Sequence, residues 1–178
     1  MKIHLIRHGK TPGNELGRYI GTTDEHLSDS GVSALKMLKA PFAECIYISP
    51  MKRCSETAKL LYPTFETVVI EELRECDFGD FENKNYKELD GNTDYQAWID
   101  SGGTLPFPHG ESTKAFKDRT LCGFRKVLCD ARKRGAEEIA LVVHGGTIMA
   151  IMEAYDGGDY FSYQLKNGEF ITLVVDET

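Results

Sequence analysis

The chain has 178 residues, 41% hydrophobic and 28% charged, with a formal net charge of −7. This length suits a single domain with a real apolar core, and the composition argues against disorder. The acidic balance argues against nucleic acid or an anionic membrane surface as partners, while a local positive field can still hold a small anion.

No apolar run approaches a membrane span, and Met1 to Arg7 is too short an apolar stretch for a signal peptide. Cys45, Cys54, Cys76, Cys122 and Cys129 make an odd count without a C-x-x-C pair. That pattern argues against a disulfide framework or a cysteine zinc site and for a reducing, cytoplasmic setting. Cys122 and Cys129, seven apart on an expected helix, read as small core residues.

In chain order, residues 2–6 form an apolar strand that ends at Arg7-His8-Gly9. A helix over 28–39 follows, with Ser28 as its N-cap and Leu27 and Val32 placed for a hydrophobic staple. Residues 44–48 read as a second strand. Ser49-Pro50 then supplies an N-cap and first turn to a helix whose face carries Met51, Cys54, Ala58 and Leu61. Phe65 to Ile70 is a β-rich run. The alternation stops between Phe78 and about Gly135, where we expect an insertion with a short helix at 92–100 and a long one near 112–134. Ile139 to Val143 fits a strand buried on both faces, followed by a helix over 146–155. Tyr160–Leu165 and Phe170–Val175 flank Lys166-Asn167-Gly168-Glu169, an Asn-Gly hairpin signal. Strands alternating with helices imply an α/β fold with a mostly parallel sheet.

Two strands end in histidine followed by glycine, at His8-Gly9 and His144-Gly145-Gly146. Ligand sites in open parallel sheets lie beyond the carboxyl ends of the strands, so both imidazoles reach one edge. The helix after Gly146 aims its N-terminal N–H groups there, a natural anion site. Arg53 falls early in its helix, where a cation opposes the helix dipole unless an anion lies nearby. None of the five histidines shows H-x-x-x-H or H-x-H spacing, so no metal site is expected. His4 reads as a packed strand side chain and His26 as a loop residue.

Arg7-His8-Gly9-Lys10-Thr11, with Asn14 beyond it, resembles the R-H-G-x-T signature of the histidine phosphatase (phosphoglycerate mutase-like) superfamily. Ser49 to Ala58, Leu73 to Glu82, Gly110-Glu111-Ser112 and Val143 to Gly146 are similar to its other blocks, in family order. The resemblance implies a three-layer α/β sandwich over 1–178, with an insertion at about 78–110 forming part of the substrate pocket. It implies His8 as the nucleophile that becomes phosphohistidine, and Arg7, Arg53 and His144 as holders of the phosphoryl group. It also implies Glu75 as proton donor, with Asn14, Thr11, Gly21 and Gly145 at the substrate. Glu75 is selected by alignment alone, because Glu71, Glu72, Asp77, Asp80 and Glu82 crowd the same stretch. Lys10 departs from the commoner Glu or Gln and is expected at the rim. His109, before Gly110, is expected near the site.

The reaction implied is metal-independent hydrolysis of a small phosphorylated metabolite, without a cofactor. Mutases of this family are longer, which favours hydrolysis here. Residues 66–100 carry eleven acidic side chains against three basic ones, a poor lid for a heavily anionic substrate. Phe78, Phe81, Tyr86, Tyr95, Trp98 and Phe107 fall within the 30 residues 78–107, where one or two could stack on a base-like leaving group. The Phe78 to Glu82 block and the compact length look most like α-ribazole-5′-phosphate phosphatases of cobalamin assembly. Two other classes share the constellation: a phosphoglycerate mutase-type transferase and a non-catalytic phospholigand-binding protein. The sequence sets no oligomeric state.

Overall fold

The structure, a computed structural model, describes residues 1–176. Its elements are β1 (Lys2–Arg7), α1 (Pro12–Glu15), α2 (Asp29–Lys36), β2 (Cys45–Ile48), α3 (Lys52–Leu61), β3 (Thr67–Val69), α4 (Thr93–Asp100), α5 (Thr113–Arg134), β4 (Glu138–Val143), α6 (Gly145–Tyr155) and β5 (Phe170–Val174). The five strands form one sheet in the order β3-β2-β4-β1-β5. β3, β2, β4 and β1 run parallel, and β5 pairs antiparallel with β1 at the edge.

Strand periodicity assigns the two apolar layers. Ile139, Leu141 and Val143 of β4 pack with Phe124, Val127 and Leu128 of α5 and Ile148 and Ile151 of α6. Ala140 and Val142, on the opposite pleat, join Ile46 and Ile48 of β2 and Cys54 and Ala58 of α3. Ile139 to Val143 is therefore fully buried, as a central parallel strand requires. A third cluster, including Cys76, Phe81, Leu89 and Phe107, welds the insertion to Phe116 of α5 and Ala150 of α6.

Local signals explain most boundaries. Ser28 Oγ accepts from the Gly31 N–H and Ser112 Oγ from the Ala115 N–H, while Gly135 closes α5 in the left-handed conformation. Asn92 caps the short helix α4.

Several expectations are corrected. Tyr160–Tyr163 forms a 3-10 turn, so no hairpin forms across Asn167-Gly168; β5 pairs instead with the outer side of β1, which β4 leaves open. α2 ends at Lys36, short of residue 39. Met51, not Ser49, stands at the N-cap of α3. Cys122 and Cys129 are exposed, because they share the outer face of α5 and Phe116, Phe124 and Leu128 take the inner one. His4 is buried and bonded to Thr172 Oγ1 (2.9 Å) and Glu138 Oε1 (2.8 Å), a packed strand residue.

Candidate active site

Three adjacent parallel strands place three side chains at one edge. β1, β4 and β2 are in register at Arg7↔Val143 and Ile48↔Val142, so His8, His144 and Ser49 each lie one residue past a strand end. The ladder continues through the His8 N–H to the Val143 carbonyl (2.9 Å) and the Ser49 N–H to the Val142 carbonyl (3.2 Å). The imidazole centroids of His8 and His144 therefore lie 5.2 Å apart. Ser49 Oγ lies 2.7 Å from His144 Nε2. The serine expected as a helix cap instead fixes the second imidazole.

His8 Nδ1 lies 2.7 Å from the carbonyl oxygen of Gly9, which can only accept. The ring is thereby held as the Nδ1–H tautomer, with Nε2 left as the free lone pair. Burial, then the charge of Arg53, pushes the His8 pKa down to about 3 against the pull of that carbonyl; Arg7 adds to the lowering. His144 is held well below its ordinary value for the same first reasons. Both rings are neutral at physiological pH.

Arg53 is fully buried, which for a lone guanidinium would be severe. Backbone carbonyls compensate: Nη1 donates to Thr23 (2.9 Å), and Nη2 to Gly21 (2.9 Å) and Ile20 (3.3 Å). Glu82 Oε1 holds that loop by accepting from the N–H groups of Gly21 (2.7 Å) and Thr23 (2.9 Å). Gly21 has no room for a side chain, since a Cβ there would lie 1.9 Å from the Cys76 carbonyl. Arg7 Nη1 donates to the Leu165 carbonyl. Among the described residues, the buried Nε–H of Arg7 and that of Arg53 have no partner. Two orphan cationic donors beside a neutral imidazole suit an anion.

Glu75 lines the cavity facing this group. Oε1 accepts from the Cys76 N–H (2.9 Å), and Gly146 permits the approach, because a Cβ there would lie 2.7 Å from the same oxygen. Enclosure by protein raises the Glu75 pKa despite bonds and charges that favour the carboxylate. Arg119 of α5 fixes its loop, donating to the carbonyls of Glu72 (2.8 Å), Arg74 (2.9 Å) and Glu75 (3.3 Å) while paired with Glu111.

The cavity has a volume of about 780 Å³ and is lined by Arg7, His8, Asn14, Glu75 and Gly145 among the expected residues. Arg53 and His144 are buried behind its wall. Thr11 is also buried and acts as the N-cap of α1, in a reciprocal pair with Asn14, away from the wall. Gly21 positions Arg53 and does not reach the wall. Lys10 is exposed beside a second cavity of about 500 Å³ on the far side of the β1 loop, not at the rim of the first. His109 is also displaced from the expected place. Its backbone is left-handed (φ 55°), and its ring is exposed against Asp80 (2.9 Å). Among the described residues, no three His, Cys, Asp or Glu side chains cluster to hold a metal ion.

A family profile for the histidine phosphatase superfamily (branch 1) matches residues 3–178. The chain belongs to that superfamily. Within it, the chain is similar to the adenosylcobalamin/alpha-ribazole phosphatase of Salmonella typhi, with 30% identity over 99% of this chain and 92% of that protein. It is also similar to phosphoserine phosphatase 1 of Hydrogenobacter thermophilus, with 29% identity over 99% of this chain and 88% of that one. The crystal structure of the alpha-ribazole phosphatase from Shigella flexneri shares the fold, with a TM-score of 0.84 at 24% identity over 99% and 92% of the two chains.

Much of the remaining cavity wall is aromatic. Tyr19, Phe78, Trp98 and Phe107 line the cavity from the insertion side, and Phe116, Met149, Tyr160 and Phe161 from the α5–α6 side. The rings interlock edge to face, as Phe78 and Phe107 do at 5.1 Å. The wall's cations are engaged: Arg18 with Glu88, Lys114 with Asp118, and Lys117 with Glu153. Beyond Ser49 and Glu82, the residues the motifs did not reveal include Thr57. Its Oγ1 accepts from the Gly9 N–H (3.0 Å) and donates to the Arg53 carbonyl (2.7 Å). The only signal in the sequence was a threonine one helical turn after Arg53.

Proposed function

We propose that the protein is a metal-independent phosphomonoester hydrolase working through a phosphohistidine on His8. The observation that carries this reading is the bare Nε2 of a neutral, Gly9-anchored imidazole beside the orphan Nε–H groups of Arg7 and Arg53. His8 Nε2 attacks phosphorus, and the ester P–O bond breaks. The Glu75 carboxyl, whose pKa enclosure raises, gives its proton to the leaving oxygen. Water then attacks the phosphorus, the P–N bond breaks, and the Glu75 carboxylate takes the water's proton. Arg7, through its donors, and Arg53 and His144, from behind, stabilise charge on the equatorial oxygens.

The preferred substrate has a bulky, largely uncharged aromatic body, as α-ribazole-5′-phosphate does. A cavity of about 780 Å³ far exceeds what a phosphoryl group needs, and its wall offers rings rather than uncommitted cations. Phosphoserine or phosphoglycerate carries a carboxylate that would have to compete with Glu88, Asp118 or Glu153. Five free thiols, two of them exposed, fit a reducing cytoplasm.

A phosphate-release screen in EDTA over α-ribazole phosphate, phosphoserine, 3-phosphoglycerate and p-nitrophenyl phosphate tests both parts. We expect release in every case, with α-ribazole phosphate preferred. Equal rates on all of them would remove the specificity reading. Absence of acid-labile label on quenched wild type would remove the phosphohistidine.

A further inference from the structure

We propose that Asn167 is a positioning residue for phosphoryl transfer, acting through the side-chain amide of Asn14. This rests on the reading of His8 as the nucleophile, since Asn14 lines the cavity beside it.

The hydrogen bonds fix both amides without ambiguity. The Thr11 N–H donates to Asn14 Oδ1 (3.2 Å), so the atom facing Thr11 is the oxygen. The same oxygen receives Asn167 Nδ2 (3.1 Å). Asn167 Nδ2 also faces the carbonyls of His8 (3.1 Å) and Gly9 (3.5 Å), which only a donor satisfies. With its oxygen held twice, Asn14 has its NH₂ left for the cavity, where a phosphoryl oxygen needs donors. Neighbouring bonds lock the clamp to the catalytic loop. The Gly168 N–H is shared between the carbonyls of Arg7 (3.0 Å) and His8 (3.2 Å), and the Arg7 N–H donates to the Glu169 carbonyl (2.9 Å). The Asn-Gly pair that reads as a hairpin turn is therefore a side-chain device aimed at the site.

Asn167→Asp separates positioning from packing, because it is isosteric yet presents an oxygen to three oxygens. The Asn14 amide then turns its NH₂ to the introduced carboxylate and its oxygen to the phosphoryl group. We expect Asn167→Ala to lower kcat/KM for p-nitrophenyl phosphate and the affinity for inorganic phosphate, by calorimetry, about 10-fold, the worth of one hydrogen bond to a charged group. Asn167→Asp should lower both by roughly 100-fold, since a repulsion replaces a lost donor. In an Asn14→Ala background, Asn167→Ala should add less than about twofold.

Asn167→Asp matching wild type overturns the proposal. So does equal loss from Asn167→Ala in both backgrounds, which would mean action through the His8 loop alone. If Asn167→Asp fails to fold, Asn14→Asp serves instead: one oxygen keeps the bonds from Thr11 and Asn167, the other faces phosphate, and activity should fall below that of Asn14→Ala. Activity above Asn14→Ala would overturn the proposal. Phosphate affinity reads the clamp independently of labelling, so a wild type that binds phosphate but never labels on His8 fails the nucleophile reading alone.

Discussion

At the sheet edge, the polar groups of the candidate site are fixed mostly by the main chain: His8 by the Gly9 carbonyl, Arg53 by three carbonyls of the 20–23 loop, and Glu75 by the Cys76 N–H, while the Ser49 hydroxyl fixes His144. At the insertion end of the same cavity, the wall is made of rings packed on rings, and its cations are committed to carboxylates. The first arrangement tolerates little change, because a misplaced buried charge has no solvent to relax into. The second can exchange one apolar surface for another of similar volume. On the proposed reading, the division makes chemistry and substrate choice separable: the edge sets what happens to phosphorus, and the insertion sets what is attached to it.

The sharpest way to break this comparison is at His8, the proposed nucleophile. His8→Ala should abolish acid-labile labelling and reduce turnover roughly 10⁴-fold or more on every substrate alike. A loss confined to one substrate would mean that the edge also selects.

Glu75→Gln comes next. Turnover of alkyl phosphates should fall about 10²- to 10⁴-fold. The initial burst of p-nitrophenol should survive, because that leaving group departs without a proton, while steady-state release slows for lack of a base. The wild-type kcat/KM should decline as pH rises through the elevated pKa of Glu75, and that alkaline limb should vanish in the variant. Loss of the burst would assign Glu75 to positioning rather than proton transfer.

At the other end, Trp98→Ala should cost about 10-fold in kcat/KM for α-ribazole phosphate and little for glycerol 2-phosphate. Equal losses on both would make the aromatic wall a support for the edge.

The smallest effect is on stability. His8 titrates near 6.5 when unfolded and at about 3 in the fold, so the unfolded chain binds the extra proton between those values. Stability is complete above about pH 6.5 and falls as pH drops toward 3. Urea midpoints of His8→Asn should decline less steeply across that window, with part of the slope kept by His144. Parallel slopes would show that burial of His8 carries no such linkage.

Much of the edge was legible because its chemistry sits at strand ends. A residue one step past a strand is placed by the ladder, so His8 and His144 could be paired from two short apolar runs. The cap Ser28 was equally local. What escaped depends on partners distant in sequence. Ser49 looked like a helix cap because its bond to His144 spans 95 residues. Asn167 looked like a turn residue because its bonds to Asn14 and His8 span 153 and 159. Cys122 and Cys129 have helical spacing that defines a face without saying which face is inward. Thr11 and Gly21 were placed at the substrate by resemblance, and geometry puts them one layer behind it.

The segment that leads into β5 has a consequence for truncation. Residues 1–150 contain His8, Arg7, Arg53, Glu75 and His144, yet the bonds that hold Arg7, His8 and Asn14 in place come from Leu165, Asn167, Gly168 and Glu169. A chain cut before residue 165 therefore keeps every motif residue and leaves the loop after β1 without these supports.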